Sequence, residues 1–132
     1  MTGEARSEKF VMARGLLVSI VDDDVSMRES LPDLLRQSGF EIKAFSSAEE
    51  FLASNCVSQT KCLILDIAMP GMSGLDLQQE LKRRGLGIPI VFITACTDEN
   101  LRPDVLAQGA VECLVKPFSE RALLDALKAA LK

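Results

Sequence analysis

The sequence predicts an α/β protein built on an open five-stranded parallel sheet with five helices. Two patterns carry that expectation. Short apolar runs alternate five times with stretches of helical period. Four of those runs are almost continuously apolar, as in strands covered on both faces by crossover helices.

Taken in order, residues 1–14 mix charges with few periodic apolar positions and read as a flexible leader, leaving 15–132 as one domain. Leu16–Val21 is the first strand. Met27, Leu31, Leu34 and Leu35 then recur at i, i+4, i+7 and i+8, one helical stripe that Gly39 terminates. Pro32 lies inside that stripe and predicts a local kink, because it removes a backbone donor. Glu41–Phe45 is the second strand, and Ser47-x-x-Glu50 has the capping-box form that opens a second helix. After a third strand at Cys62–Leu65, Ser73-x-x-Asp76 resembles the same signature, with Leu77 and Leu81 on one face and Gly85 at the end. Ile88–Ile93 is the fourth strand, and Gly109 ends the helix that follows it. Val111–Val115 is the fifth strand, Ser119 a candidate N-cap, and Leu124, Leu127 and Leu131 the final stripe.

Composition narrows the functional classes. The 132 residues are 48% hydrophobic, enough to fill a core without staples. Fifteen Lys and Arg against 19 Asp and Glu give a net charge of −4, a poor match to a phosphate backbone, so direct nucleic-acid binding is not expected. No apolar run approaches the ~18 residues of a membrane span. Cys56, Cys62, Cys96 and Cys113 lack close C-x-x-C spacing and suit reduced thiols in a cytoplasmic chain. With no histidine, the chain can hold neither a Ser-His-Asp triad nor a phosphohistidine.

In an open parallel sheet, ligands bind beyond the carboxyl ends of the strands. Those ends carry Asp22-Asp23-Asp24, Asp66, Thr94 and Lys116-Pro117. Carboxylates brought this close require a cation or protons, and an all-oxygen site suits Mg²⁺ with a phosphate as a further ligand. An aspartate can act as nucleophile and become an aspartyl phosphate, with Lys116 as a point charge for a phosphoryl oxygen. No Gly-x-x-x-x-Gly-Lys loop is present to cradle a nucleotide, which favours a phosphorylated protein or small phosphate compound as donor. Each residue alone has a plainer reading. The acidic triplet could be a solvated turn, Asp66 a loop cap, Thr94 a partner of a strand-end carbonyl and Lys116 part of an exposed turn. Asp24 is best read as a helix-start acid.

Val21-Asp22-Asp23-Asp24, Leu65-Asp66 with Met69-Pro70-Gly71-Met72-Ser73-Gly74, Ile93-Thr94-Ala95 and Lys116-Pro117-Phe118 together resemble the motifs of response-regulator receiver domains, of FixJ-type flavour. The separations agree: 43 from Asp23 to Asp66, 28 from Asp66 to Thr94 and 22 from Thr94 to Lys116. The resemblance covers Leu16 to the end. It implies a doubly wound, flavodoxin-like sheet of order 2-1-3-4-5 and a cis Lys116–Pro117 peptide. It implies Asp66 as phosphoacceptor, and Mg²⁺ held by Asp23, by Asp22 largely through water, by Asp66 and by the Ala68 carbonyl. Thr94 would hydrogen-bond the phosphoryl group and Lys116 would pair with one of its oxygens.

Three positions depart from the family pattern. Cys113 stands where relatives commonly carry an aromatic switch residue. Ala68 and Cys96 are small where relatives tune hydrolysis of the acyl phosphate. The signal is therefore expected to travel through Ala95–Asn100 and the following helix. The resemblance implies a signalling phosphoacceptor, not a metabolic enzyme, served by a sensor histidine kinase and switching a contact with an unknown downstream protein. The state expected is a monomer or a phosphorylation-dependent dimer. Because the chain stops at Lys132, a stand-alone receiver is expected, the alternative being a receiver fragment of a longer DNA-binding transcription regulator. A pseudo-receiver is disfavoured because all the motif residues are present. An aspartyl-phosphate phosphatase is disfavoured because residue 68 is Ala, breaking the Asp-x-Asp spacing.

Overall fold

The computed structural model describes residues 15–95 and 101–131. The leader at 1–14, Cys96, Asn100 and Lys132 lie outside the described residues. The chain runs β1 (Leu17–Val21), α1 (Val25–Arg36), β2 (Glu41–Phe45), α2 (Ala48–Ala53), a short 3₁₀ turn (Val57–Gln59), β3 (Thr60–Asp66), α3 (Gly74–Arg83), β4 (Ile90–Thr94), α4 (Leu101–Ala107), β5 (Glu112–Val115) and α5 (Glu120–Ala130). All strands pair in parallel in the order β2-β1-β3-β4-β5, which is the expected one.

Alternation along the strands splits the core into two layers. Leu63, Leu65 and Phe92 face Phe51 of α2, Leu77 and Leu81 of α3 and Val105 of α4. Cys62, Ile64, Val91 and Ile93 face Leu31 and Leu35 of α1 and Leu123 and Leu127 of α5. Burial pushes the Cys62 thiol up to about 12, so it is an inert core thiol.

Local chemistry sets the boundaries. Asp24 caps α1 by accepting the Ser26 N–H at 2.9 Å, the helix-start role read for it. Ser73 and Asp76 form a reciprocal capping box on α3. Ser119 accepts the Ala122 N–H, and Ser47 accepts the Glu50 N–H, while the Glu50 carboxylate turns instead to the Ser46 hydroxyl. Gly39, Gly85 and Gly109 all have positive φ at helix ends, where a Cβ would be strained.

α1 runs through Pro32, whose ring is buried. Two details differ from the sequence reading. The stripe of α5 is turned by one residue, with Leu123, Ala126 and Leu127 buried and Leu124 only half-buried. β5 is not covered on both faces: as an edge strand it buries Cys113 but leaves Val115 exposed.

Candidate functional site

Register brings the predicted residues to one edge. Val21 lies beside Leu65, Asp66 beside Ile93 and Thr94 beside Val115, so the residues that follow β1, β3, β4 and β5 converge there. The backbone closes the edge, with Asp22 N–H donating to the Phe45 carbonyl at 3.1 Å and Lys116 N–H to the Thr94 carbonyl at 2.7 Å. The Lys116–Pro117 peptide is cis, as the resemblance implied.

Asp22 is completely buried, Asp66 is 5% exposed, Thr94 is buried and Asp23 is open to solvent. Asp22 Oδ1 accepts the Asp24 N–H at 2.9 Å, and Oδ2 accepts from Lys116 Nζ at 3.0 Å. Lys116 Nζ lies 3.7 Å from Asp66 Oδ2, while Asp66 Oδ1 accepts the Ala68 N–H at 3.2 Å. Without a phosphoryl group, the lysine therefore serves chiefly Asp22. Asp22, Asp23 and Asp66 offer oxygens that all lie within 4.8 Å of one another. That hard, anionic, all-oxygen donor set fits Mg²⁺. Ala68 adds a backbone position two residues beyond Asp66, and its own side chain is exposed.

The charges are strongly coupled. Burial, then the hydrogen bond and like charge of Asp22, push Asp66 up to about 7, outweighing the Lys116 ammonium and the Ala68 N–H. Burial disfavours the charged form of Lys116, yet the hydrogen bond and charge of Asp22, with Asp66 and Asp24, hold its pKa above the ordinary value.

Two further residues support the site: Arg28, which the sequence reading did not single out, and Gly74, which entered it only as the last residue of a motif. Arg28 of α1 donates from Nη1 to the Asp22 carbonyl at 3.0 Å, tying the helix to the acidic turn. Gly74 donates its N–H to the Ile67 carbonyl at 2.9 Å, and a Cβ there would stand 2.3 Å from the Asp66 carbonyl oxygen. Of the expected signalling segment Ala95–Asn100, residues 96–100 lie outside the described residues, and so does Cys96 as a neighbour of the site.

The comparisons with known proteins agree with this geometry. The chain is 48% identical over 114 residues to nodulation protein W of Bradyrhizobium diazoefficiens, covering 86% of this chain and 50% of that protein. It is 37% identical over 120 residues to the transcriptional regulatory protein FixJ of Azorhizobium caulinodans, covering 91% of this chain and 57% of that protein. The solved structure of the response regulator StyR superposes with a TM-score of 0.80 at 50% identity, over 87% of this chain and 58% of that one. The chain thus spans about half the length of the curated relatives it matches. The family model of the response regulator receiver domain matches residues 18–128, and the chain belongs to that family.

Proposed function

We propose that this domain accepts a phosphoryl group on Asp66 from the phosphohistidine of a sensor histidine kinase. The observation that carries the reading is the meeting of Asp66 with Lys116 at 3.7 Å, inside an acidic triad whose oxygens lie within 4.8 Å. An Asp66 carboxylate oxygen attacks phosphorus, the P–N bond breaks, and its electron pair leaves with the imidazole. Water later cleaves the acyl phosphate, so the domain catalyses both steps on itself without being a metabolic enzyme. When bound, Mg²⁺ supplies positive charge against the clustered carboxylates and the phosphoryl oxygens.

The protein's own residues do the positioning. Asp23 and Asp66, with the Ala68 carbonyl, hold the ion. Asp22 acts largely through water, in keeping with oxygens already engaged by Asp24 and Lys116. Lys116 turns from Asp22 to a phosphoryl oxygen, and the Thr94 hydroxyl donates to another. Labelling the protein with radioactive acetyl phosphate and Mg²⁺ tests the reading. An acid-labile, hydroxylamine-sensitive label that disappears with EDTA is expected, and no label on the Mg²⁺-loaded protein would count against it.

The domain then switches a contact with a downstream protein, as a monomer or phosphorylation-dependent dimer in the cytoplasm. Among the described residues no helix is long and apolar enough to cross a membrane. A second reading, the receiver portion of a longer DNA-binding transcription regulator, draws on the half-length coverage and on the names of relatives called transcriptional regulatory proteins. In that case the effector portion, not this acidic domain, contacts DNA. Reading the gene past the codon for Lys132 separates the two.

Metal binding gives a prediction of its own. At Mg²⁺ one hundred times Kd, the folded state should gain about 2.7 kcal/mol, provided the unfolded chain does not bind. Asp23→Asn should raise the metal-free melting temperature by relieving repulsion and should blunt the Mg²⁺ response. An undiminished Mg²⁺ shift in that variant, read by thermal melts, would remove Asp23 from the ligand set.

A further inference from the structure

Residues 67–73 join β3 to α3 and carry Ala68, whose carbonyl is placed among the Mg²⁺ ligands. Most hydrogen bonds of this loop are local. The Ala68 N–H donates to Asp66 Oδ1, the Gly74 N–H to the Ile67 carbonyl and the Ser73 N–H to Asp76 Oδ2. At the strand end the Ile67 N–H donates to the Ile93 carbonyl of β4, and Met69 is buried in the layer that holds Ala48 and Phe51 of α2. Beyond Met69 the chain turns outward, with Pro70 and Gly71 exposed. There α2 reaches it again, through Glu49, whose Oε2 accepts the Met72 N–H at 3.4 Å.

Gly71 points to the same oxygen. Its φ is +74°, and a Cβ there would stand 2.8 Å from Glu49 Oε2. The turn therefore brings bare backbone against the carboxylate, as glycine permits. Glu49 has no capping duty to explain its place. Ser47 accepts the Glu50 N–H, and the Glu50 carboxylate accepts the Ser46 hydroxyl. At 3.4 Å and exposed to solvent, the Glu49 bond adds little to global stability. Its effect is on where the loop sits.

We propose that Glu49 is a positioning residue for the site: it pins the Gly71–Met72 turn to α2 and so keeps the Ala68 carbonyl where Mg²⁺ takes it. The second half rests on the Mg²⁺ reading given above. Mg²⁺ demands near-octahedral ligands at about 2.0–2.1 Å, so a backbone ligand on a loop free to wander binds it less well. Loss of a group that directly orients a metal ligand typically costs about 10–100-fold in affinity. Glu49 acts through intervening backbone, past the buried Met69, so the smaller loss of about three- to tenfold is expected.

The test uses the full chain and three variants, Glu49→Ala, Glu49→Gln and Glu50→Ala. Amide NMR shifts give the Mg²⁺ Kd, and amide hydrogen exchange at Gly71 and Met72 reads the tether. Glu49→Ala should raise the Kd about three- to tenfold and quicken exchange at Met72 by about threefold or more. Glu49→Gln keeps an acceptor oxygen without the charge and should restore most of both. Glu50→Ala removes the neighbouring carboxylate and should change neither. If Glu49→Gln is as weak as Glu49→Ala, or Glu50→Ala loses as much, the cause is lost negative charge and the proposal is overturned. Unchanged exchange at Met72 in Glu49→Ala overturns the tether. Quickened exchange with an unchanged Kd overturns its part in the site. Wild-type protein that binds no Mg²⁺ overturns the metal reading and the second half with it, while the exchange result still decides the tether.

Discussion

Asp66→Asn should abolish labelling by acetyl phosphate and by kinase, and should at the same time make the metal-free protein more stable at pH 8. The loss of label follows from the proposed role of Asp66 as nucleophile, which an amide oxygen does not replace. The gain in stability follows from linkage. Asp66 is pushed up to about 7 in the folded protein, whereas an unfolded aspartate titrates near 3.9. Between these values the folded chain holds the extra proton, so stability falls as pH rises. The contribution is fully present below about pH 4 and is lost as pH climbs through about 7. Asparagine carries no such penalty. The variant should gain about 1–2 kcal/mol over wild type at pH 8 in EDTA, well under the full linkage value because solvent at the edge screens the charges. Thermal melts from pH 4 to 8 would check it. A wild-type profile that rises with pH, or a variant with the same pH slope as wild type, would refute the account, and undiminished label would unseat Asp66 itself.

That opposition between function and stability explains why the site was the most legible part of the sequence. Asp22, Asp23, Asp66, Thr94 and Lys116 all break the apolar pattern of the strands at their ends. Such breaks are visible in one dimension once the strands are placed. The layers were legible for the same reason, since continuous apolar runs demand cover on both faces and period-3.6 stripes demand it on one. The rest depended on distances no pattern encodes. Leu123 and Leu124 are equivalent in hydropathy, and only the approach of α5 to β4 and β5 decides which is buried. The half-open face of β5 follows from its place at the edge of the sheet, which its own residues do not announce. Lys116 could be assigned to the site but not to Asp22, because a four-carbon stem reaches several carboxylates there. Glu49 likewise reads as an ordinary helix-start acid until the turn at Gly71 and Met72 is folded beside it.

Gly74→Ala is expected to lower stability and disturb the site together. The Cβ would meet the Asp66 carbonyl oxygen at 2.3 Å and the Ile67 Cα at 2.9 Å. These are backbone atoms at the end of β3, unable to swing aside as a flexible side chain could. The strain must then move either the start of α3 or the strand end that carries Asp66. Helix propensity favours alanine over glycine by about 1 kcal/mol. Overpacking in a closed environment costs about 1–3 kcal/mol and can exceed that where backbone must shift. The net expectation is a loss of about 2 kcal/mol and a melting temperature lower by several degrees. Because Gly74 N–H also donates to the Ile67 carbonyl at 2.9 Å, the shift reaches the turn that bears Ala68. Mg²⁺ affinity should therefore weaken along with stability. A control at Gly85, where a Cβ meets nothing within 4 Å but φ is +74°, separates the effects. Gly85→Ala should lose stability through backbone strain alone and keep its Mg²⁺ affinity. Equal Mg²⁺ affinity in both variants, measured by titration at a temperature where each is folded, would show that Gly74 does not govern the geometry around Asp66.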